Sequence, residues 1–431
     1  MKQCSYWTDT VKTGAAATTP ATPEPLPARV DALVVGGGIT GLSAARALAR
    51  RGVRVAVAEA HAVGWGASSR NGGMVLTGHK LGAATLRSRY GPELARRLYR
   101  ASVDSVDIVA DIVRTEGIDC DFRRSGHLAL ASKPGHYDYY CREAELLARE
   151  FSHDVRLVPR ADLRAEIGSE VYFGGVVDER SGGINPARYV AGLAAAARRA
   201  GATLHEQSSV ERIERLGTRW RVSTTSTTVE AGELVMATSG YTGPVAAALD
   251  RKLLPIGSYV IATEPLTPAQ AAELSPRGRM MYDSRHFLHY FRLAADRRLV
   301  FGGRARFVPE TTDSIRASAA DLQRGMLEVY PQLRDVKVDY AWGGTLDFCY
   351  DTMPHLGQVD GYHYALGYAG HGVALASLLG TQLGEGLGTA ALADNPFAQL
   401  PFAPLPLGSR RYKRQFLQLA ALWYGLLDRV S

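Results

Sequence analysis

The sequence predicts an α/β fold with added α+β elements, and three observations predict it. An apolar strand over Ala32 to Val35 runs into a glycine turn and an alanine-rich helix. A second apolar strand follows and ends on Glu59. Much later, from Leu254 to about Tyr340, strand patterns dominate and carry aromatic and basic side chains. The first two describe a parallel β-α-β unit, and the third an interleaved antiparallel layer.

The turn reads Gly36-Gly37-Gly38-Ile39-Thr40-Gly41, a G-x-G-x-x-G pattern. Gly36 permits the tight turn, Gly38 lets the backbone approach a pyrophosphate, and Gly41 lets helix and strand pack closely. The phosphates then meet free N–H groups at the helix N-terminus. Glu59, about 20 residues beyond, is placed to accept from adenosine ribose hydroxyls. Next comes Gly64-Trp65-Gly66-Ala67-Ser68-Ser69-Arg70-Asn71-Gly72-Gly73, where an NAD-binding domain would return to its sheet. Its two glycine clusters would let a backbone lie against a flat ring and its ribityl chain. The plainer alternative is a surface loop rich in turn formers.

With these motifs the chain resembles the D-amino-acid oxidase/sarcosine oxidase superfamily of FAD-dependent oxidoreductases. It is most similar to the γ-glutamylputrescine oxidase-like branch. Further segments that carry the resemblance are Ser5-Tyr6-Trp7, Asn185-Pro186 opening a helix to Gly201, Ala237 to Tyr241 and Ser258 to Leu266. His289-Tyr290-Phe291-Arg292, Phe301-Gly302-Gly303-Arg304, Trp342 to Asp347 and Gly367 to Leu375 complete the set. The resemblance implies a Rossmann-like FAD-binding domain of the glutathione-reductase type with an interleaved antiparallel-sheet substrate domain. It carries FAD contacts onto Gly36, Gly38 to Gly41, Glu59, the run Gly66 to Met74, and Gly344. It also places the backbone near Val210 at the adenine and the segment of Thr238 and Gly240 at the pyrophosphate. Gly370-His371-Gly372-Val373 opens a helix whose positive end would point at the flavin's pyrimidine edge, favouring the negative charge of the reduced ring.

The implied chemistry is amine oxidation. A neutral primary or secondary amine gives the hydride of its α-carbon to flavin N5, the imine hydrolyses, and O2 reoxidises the cofactor to give H2O2. The cofactor carries the hard step, so no catalytic triad or carboxylate pair is needed, and none is evident. Candidate catalytic positions are Arg304, His289 or Tyr290, His371 and Asp347, the last as a binder of substrate ammonium. The plainer readings are a surface salt bridge for Arg304, packing for His289 and Tyr290, and a turn carboxylate for Asp347.

Three departures from the sarcosine oxidase pattern stand out. No lysine lies near Val300, and no flavin-bonding cysteine lies near Gly344, Cys349 being beyond it; FAD is therefore expected to be non-covalent. Leu76 stands near the place of the arginine that grips a small amino acid's carboxylate. These argue against sarcosine or glycine as substrate and leave open both a longer amine, with a remote carboxylate near Arg304 or Arg292, and the electron acceptor. Two alternatives stay open: a D-amino-acid-type dehydrogenase passing electrons to quinone, and a non-catalytic flavin-binding subunit.

Composition agrees with a globular enzyme. The chain has 431 residues, 46% hydrophobic and 22% charged, which favours two intertwined domains. The net charge of +7 comes from scattered arginines, without the basic stripe of a nucleic-acid binder. Four cysteines without metal spacing read as reduced thiols, consistent with a cytoplasmic location. No apolar run approaches the roughly 20 residues of a membrane span.

The expected organisation is a poorly ordered leader at 1–28, an FAD-binding domain from 29–81, 150–245 and 341–395, and a substrate domain from 82–149 and 246–340. Residues 396–431 read as a Pro-punctuated linker and a helix. That helix starts basic (Arg410, Arg411, Lys413, Arg414) and continues with apolar Phe416, Leu419, Leu422 and Trp423. It would pack on the body or touch an anionic membrane surface.

Overall fold

The computed structural model describes residues 1–12, 25–306 and 311–405. Strand Arg29–Val35 is buried on both faces over its last four residues, as a central parallel strand must be. It pairs in parallel with Val55–Ala58 on one side and Thr228–Met236 on the other, with Val34 opposite Val57 and Val235. Thr203–His205, Tyr362–Leu366 and His355–Val359 extend this first sheet, and Arg219–Thr224 with Val210–Leu216 branch from it. Helices Ile39–Arg50, Pro186–Arg199 and Gly372–Gly386 share one core against it, with Leu42, Leu48, Leu193 and Leu379 inside. The Ile39 and Gly372 helices touch so closely that a Cβ on Gly380 would come 2.4 Å from the Thr40 carbonyl oxygen.

The second sheet runs in the order Val338–Phe348, Leu254–Pro265, Arg298–Arg306, Tyr290–Leu293, Met280–Asp283, His127–Leu130, Gly174–Asp178, Arg156–Pro159. Every pairing is antiparallel except Met280–Asp283 against His127–Leu130. Helix Thr312–Val329 packs on it over Leu322, Met326 and Phe301. Arg156–Pro159 and Gly174–Asp178, from the stretch 150–245, and Val338–Phe348, which crosses position 340, all pair within this sheet. Each finds a partner far away in sequence, which local pattern does not reveal.

The leader needs a correction. Residues Tyr6–Lys12 form a helix, and Trp7 is 1% exposed. Lys2 donates to the Asp339 carbonyl at 2.6 Å and accepts from Ala341 N–H at 2.9 Å, which binds the first residues to the edge of the second sheet. Residues 13–24 and the expected helix from Ser409 lie outside the described residues. Within the expected linker, Phe397 is buried and Phe402 stacks on His355 at 4.2 Å.

Candidate active site

Two cavities meet between the sheets. The larger, about 750 Å³, is lined by Gly36, Gly38, Ile39, Thr40, Glu59, Val210 and Thr238 among others. The smaller, about 430 Å³, lies against the second sheet under Tyr282 and Tyr290. Ala67, Asn71, Leu346, Gly370 and Val373 line both, so these residues form the common wall.

The glycine turn enters the larger cavity because its geometry admits nothing else. Gly36 has φ +108°, and a Cβ on Gly41 would sit 1.9 Å from the Gly36 carbonyl oxygen. Gly37 N–H donates to Glu59 Oε2 at 2.7 Å, and His61 N–H donates to Oε1 at 2.9 Å, fixing the carboxylate at the cavity wall. Gly38 caps helix Ile39–Arg50 with no side-chain acceptor and no acid in the first turn. Ser68 Oγ takes the Ile39 N–H at 3.0 Å.

The loop that follows is anchored from behind. Four consecutive carbonyls are each held by a distant donor: Ser69 by Ser5 Oγ at 3.1 Å, Arg70 by Trp342 Nε1 at 2.8 Å, Asn71 by Trp7 Nε1 at 2.8 Å, and Gly72 by Arg292 Nε at 2.9 Å. A trans peptide points its N–H opposite to its C=O, so the Asn71–Gly72 peptide turns its N–H away from Trp7. The Asn71 side chain braces the loop internally, donating to the Ala67 and Ser68 carbonyls and accepting from Gly73 N–H. Gly66, Ala67, Ser68 and Asn71 line the larger cavity, and Arg70, Asn71, Gly72 and Met74 the smaller; Ser69 and Gly73 line neither. Gly344 lines the smaller cavity, whereas Gly240 packs against the Leu346 carbonyl.

Helix Gly372–Gly386 starts at the common wall with His371 as its cap residue, again without a side-chain acceptor or an acid in its first turn. Asp347 builds the turn before it, accepting from Gly367 N–H at 2.6 Å and Tyr368 N–H at 3.1 Å. Tyr368 and Thr40 hydroxyls join at 2.8 Å and tie the two helix starts together. Burial drives the His371 imidazole down to about 3, with the Lys80 charge adding to the effect, so it is neutral at physiological pH. His371 Nδ1 is buried and bonds to no described residue.

The structure sorts the expected catalytic positions. Tyr290 lines the smaller cavity; its ring covers Gly72 and Gly302, and its hydroxyl lies 3.4 Å from Ser258 Oγ. His371 lines it too. His289 does not: neighbours on an extended chain face opposite sides, and its ring packs on Phe301 at 5.0 Å with Nδ1 3.3 Å from Asp283. Asp347 lies in the larger cavity's wall, its carboxylate engaged by backbone N–H groups rather than open to a substrate ammonium. Arg304 stands on strand Arg298–Arg306, and its side chain lies outside the described residues. Arg292, expected near a remote carboxylate, instead donates to the Gly72 and Ile184 carbonyls behind the loop. Sequence reasoning missed Lys80, His127 and Tyr282, all on the smaller cavity's wall. His79-Lys80, a polar pair in the run Leu76-Thr77-Gly78-His79-Lys80-Leu81-Gly82 just after the loop, was the one local signal available.

The donor set fits a dinucleotide with a flat ring at its far end. Two helix N-termini with no acid in their first turns face the larger cavity, Glu59 lies at one end, and the glycine loop and the Gly370 turn lie at the common wall. This fold and site define a flavin-dependent oxidoreductase. The family model "FAD dependent oxidoreductase" matches residues 31–385. The chain is 33% identical over 403 residues to gamma-glutamylputrescine oxidoreductase of Escherichia coli, covering 93% of both chains. It is also 33% identical over 410 residues to the probable oxidoreductase OrdL of Haemophilus influenzae, covering 93% of this chain and 92% of the other. Among solved structures, glycine oxidase from Geobacillus kaustophilus superposes with a TM-score of 0.73 at 24% identity, over 88% of this chain and 100% of that one. The chain belongs to the D-amino-acid oxidase family of FAD-dependent oxidoreductases.

Proposed function

We propose that this protein oxidises a primary or secondary amine of the γ-glutamylputrescine type and passes the electrons to O2. The observation that carries the reading is the common wall, where a cavity built for a dinucleotide meets a second, tyrosine-lined cavity of substrate size. Bound FAD supplies the acceptor for the hydride of the carbon next to nitrogen. Gly36, Gly38, Ile39, Thr40, Glu59, Gly66, Ala67, Ser68, Asn71 and the Gly370 turn would hold it. No cysteine lines either cavity among the described residues, which supports non-covalent binding. For a primary amine the net reaction takes amine, O2 and water to aldehyde, ammonia and H2O2.

The chain's own residues prepare this reaction by exclusion and neutrality. Burial keeps the Tyr282 and Tyr290 hydroxyls protonated, and His371 adds no positive charge beside an incoming amine. The positive end of the Gly372 helix favours negative charge at the common wall. The Tyr290 ring over Gly72 positions the substrate's reacting carbon. Four free thiols support a reducing, cytoplasmic setting.

Oxygen uptake with γ-glutamylputrescine tests the reading. It expects one H2O2 for each O2 consumed. Reduction of a quinone or dye without oxygen uptake would instead identify a dehydrogenase.

A further inference from the structure

A chain of buried polar groups runs into the wall of the smaller cavity. Neighbouring strands Met280–Asp283, His127–Leu130 and Gly174–Asp178 bring Tyr282, His127 and Asp178 to that wall, and Thr77 joins them from the stretch after the glycine loop. Asp178 accepts from His153 Nε2 at 2.7 Å, from Arg180 N–H at 2.9 Å and from Thr77 Oγ1. Burial opposes its ionisation, but the His153 hydrogen bond and the His127 and His153 charges outweigh burial and hold the carboxyl down to about 2. The remaining donors follow in turn. Thr77 gives its one hydroxyl proton to Asp178, so Ser181 donates across the 3.3 Å between Ser181 Oγ and Thr77 Oγ1. Ser181 has then given its own proton, so the imidazole donates the 2.8 Å bond between His127 Nδ1 and Ser181 Oγ. Burial lowers the His127 pKa and keeps the ring neutral, which leaves Nε2 to accept from the Tyr282 hydroxyl at 3.3 Å. The Tyr282 proton thus points at His127, and a lone pair of Tyr282 Oη is left for the cavity.

The charges facing His127 are Asp178, His153 and Arg279, and Glu166 and Glu179 take up the last. Tyr99, Tyr139 and Tyr140 stand beside Tyr282 with hydroxyls that burial keeps protonated. An alkyl amine reaches the cavity as its ammonium ion, whose nitrogen has no lone pair to form the imine double bond. We propose that Tyr282 and His127 take its proton: Tyr282 Oη accepts the ammonium N–H, and the Tyr282 proton passes to His127 Nε2. One N–H and one O–H bond break, one O–H and one N–H bond form, and no electrons change hands. The imidazolium so made faces the Asp178 carboxylate through Ser181 and Thr77, an opposite charge that favours it. Hydride, this proton and O2 together make H2O2, so the chain ends each cycle as it began. Tyr282 is the catalytic residue, and His127, Ser181, Thr77 and Asp178 act through it. The proposal rests on the smaller cavity being the site of amine oxidation.

The pH profile of flavin bleaching without oxygen, at low concentrations of whichever primary amine bleaches the FAD-loaded protein fastest, tests the proposal. The parent's rate is expected to be nearly level from pH 7 to pH 9. Tyr282→Phe keeps the ring and loses the acceptor, and should be slower at pH 7 by about tenfold or more. That deficit should close as the pH nears about 10.4, where an alkyl ammonium gives its proton to water. His127→Gln should show the same pH-dependent deficit, whereas a structural fault would slow bleaching equally at every pH. A deficit of equal size at pH 7 and pH 10 would overturn the proposal. So would either variant bleaching within about twofold of the parent at pH 7. If His127→Gln fails to retain FAD, Tyr282→Phe decides. Binding of tert-butylamine, read from the shift of the flavin band, should follow the same pattern. That amine has no hydrogen on the carbon next to nitrogen and cannot be oxidised. Its comparison between parent and Tyr282→Phe therefore decides the inference even if no amine is turned over, and equal binding at pH 7 would overturn it.

Discussion

Glu59 receives N–H donors on both carboxylate oxygens, from Gly37 and His61, and so links the first turn of the dinucleotide helix to the end of the second strand. Glu59→Ala removes both acceptors from the wall of the larger cavity. Hydrogen bonds to charged groups are worth about 1.5–3 kcal/mol, so FAD affinity should fall roughly ten- to hundredfold, measurable by flavin fluorescence on titration. Asp347 makes a different prediction from the one its sequence position invites. Because its oxygens hold the turn before the Gly372 helix, Asp347→Asn should loosen FAD and lower thermal stability while leaving the amine KM of the FAD-loaded fraction within about twofold. A selective rise in KM would restore the ammonium-binding role. The glycine turn and Glu59 were readable because their chemistry is local, set by spacing within one β-α-β unit. Tyr282 was not, since nothing in its neighbours says that its ring ends on a cavity wall.

Among the elements, the N-terminal helix Tyr6–Lys12 alters the picture most. Ser5 and Trp7 hold the Ser69 and Asn71 carbonyls, and the Trp7 ring lies 5.0 Å from the Arg292 guanidinium that holds Gly72. These residues act as a brace behind the flavin loop. Trp7→Ala creates a large buried void and frees the Asn71 carbonyl, a loss of about 3–5 kcal/mol for a Trp truncation. The expected outcome is a lower melting temperature together with faster FAD release on dilution. Unchanged FAD retention would mean that the brace serves the fold alone. Nothing local marks this helix, because the hydrogen-bond partners of Ser5 and Trp7 lie 64 residues away. The same nonlocality explains the strands Arg156–Pro159 and Val338–Phe348. Which sheet they join is set by pairing across the molecule.

For the whole molecule, the packing of two sheets around one site has a cost in acid. Burial depresses the imidazole of His79 to about 4 and that of His371 to about 3, and lowers that of His127 as well. An unfolded histidine titrates near 6.5, so below that pH the unfolded chain takes up protons first and stability is lost as pH falls toward the folded values. The Asp178 contribution behaves differently, being present above about 4 and lost only as pH falls toward 2. The melting temperature of the FAD-loaded protein should therefore decline from pH 7 to pH 5, and a flat or rising profile would contradict the buried neutral histidines. The parallel strands at the centre of the first sheet, their dinucleotide turn and the strand-rich second layer were apparent in the sequence, since hydrophobic period and glycine placement are local signals. The walls of the cavity between them are assembled from segments as distant as Arg70, Tyr290 and His371.

The central claim is that a bound flavin on the common wall receives a hydride from an amine in the adjoining cavity. Its most direct test is the visible spectrum of the FAD-loaded protein during addition of γ-glutamylputrescine without oxygen, followed by admission of air. The account predicts bleaching of the flavin band, then full recovery with one H2O2 released per flavin. A flavin band that no amine or amino acid bleaches would contradict it.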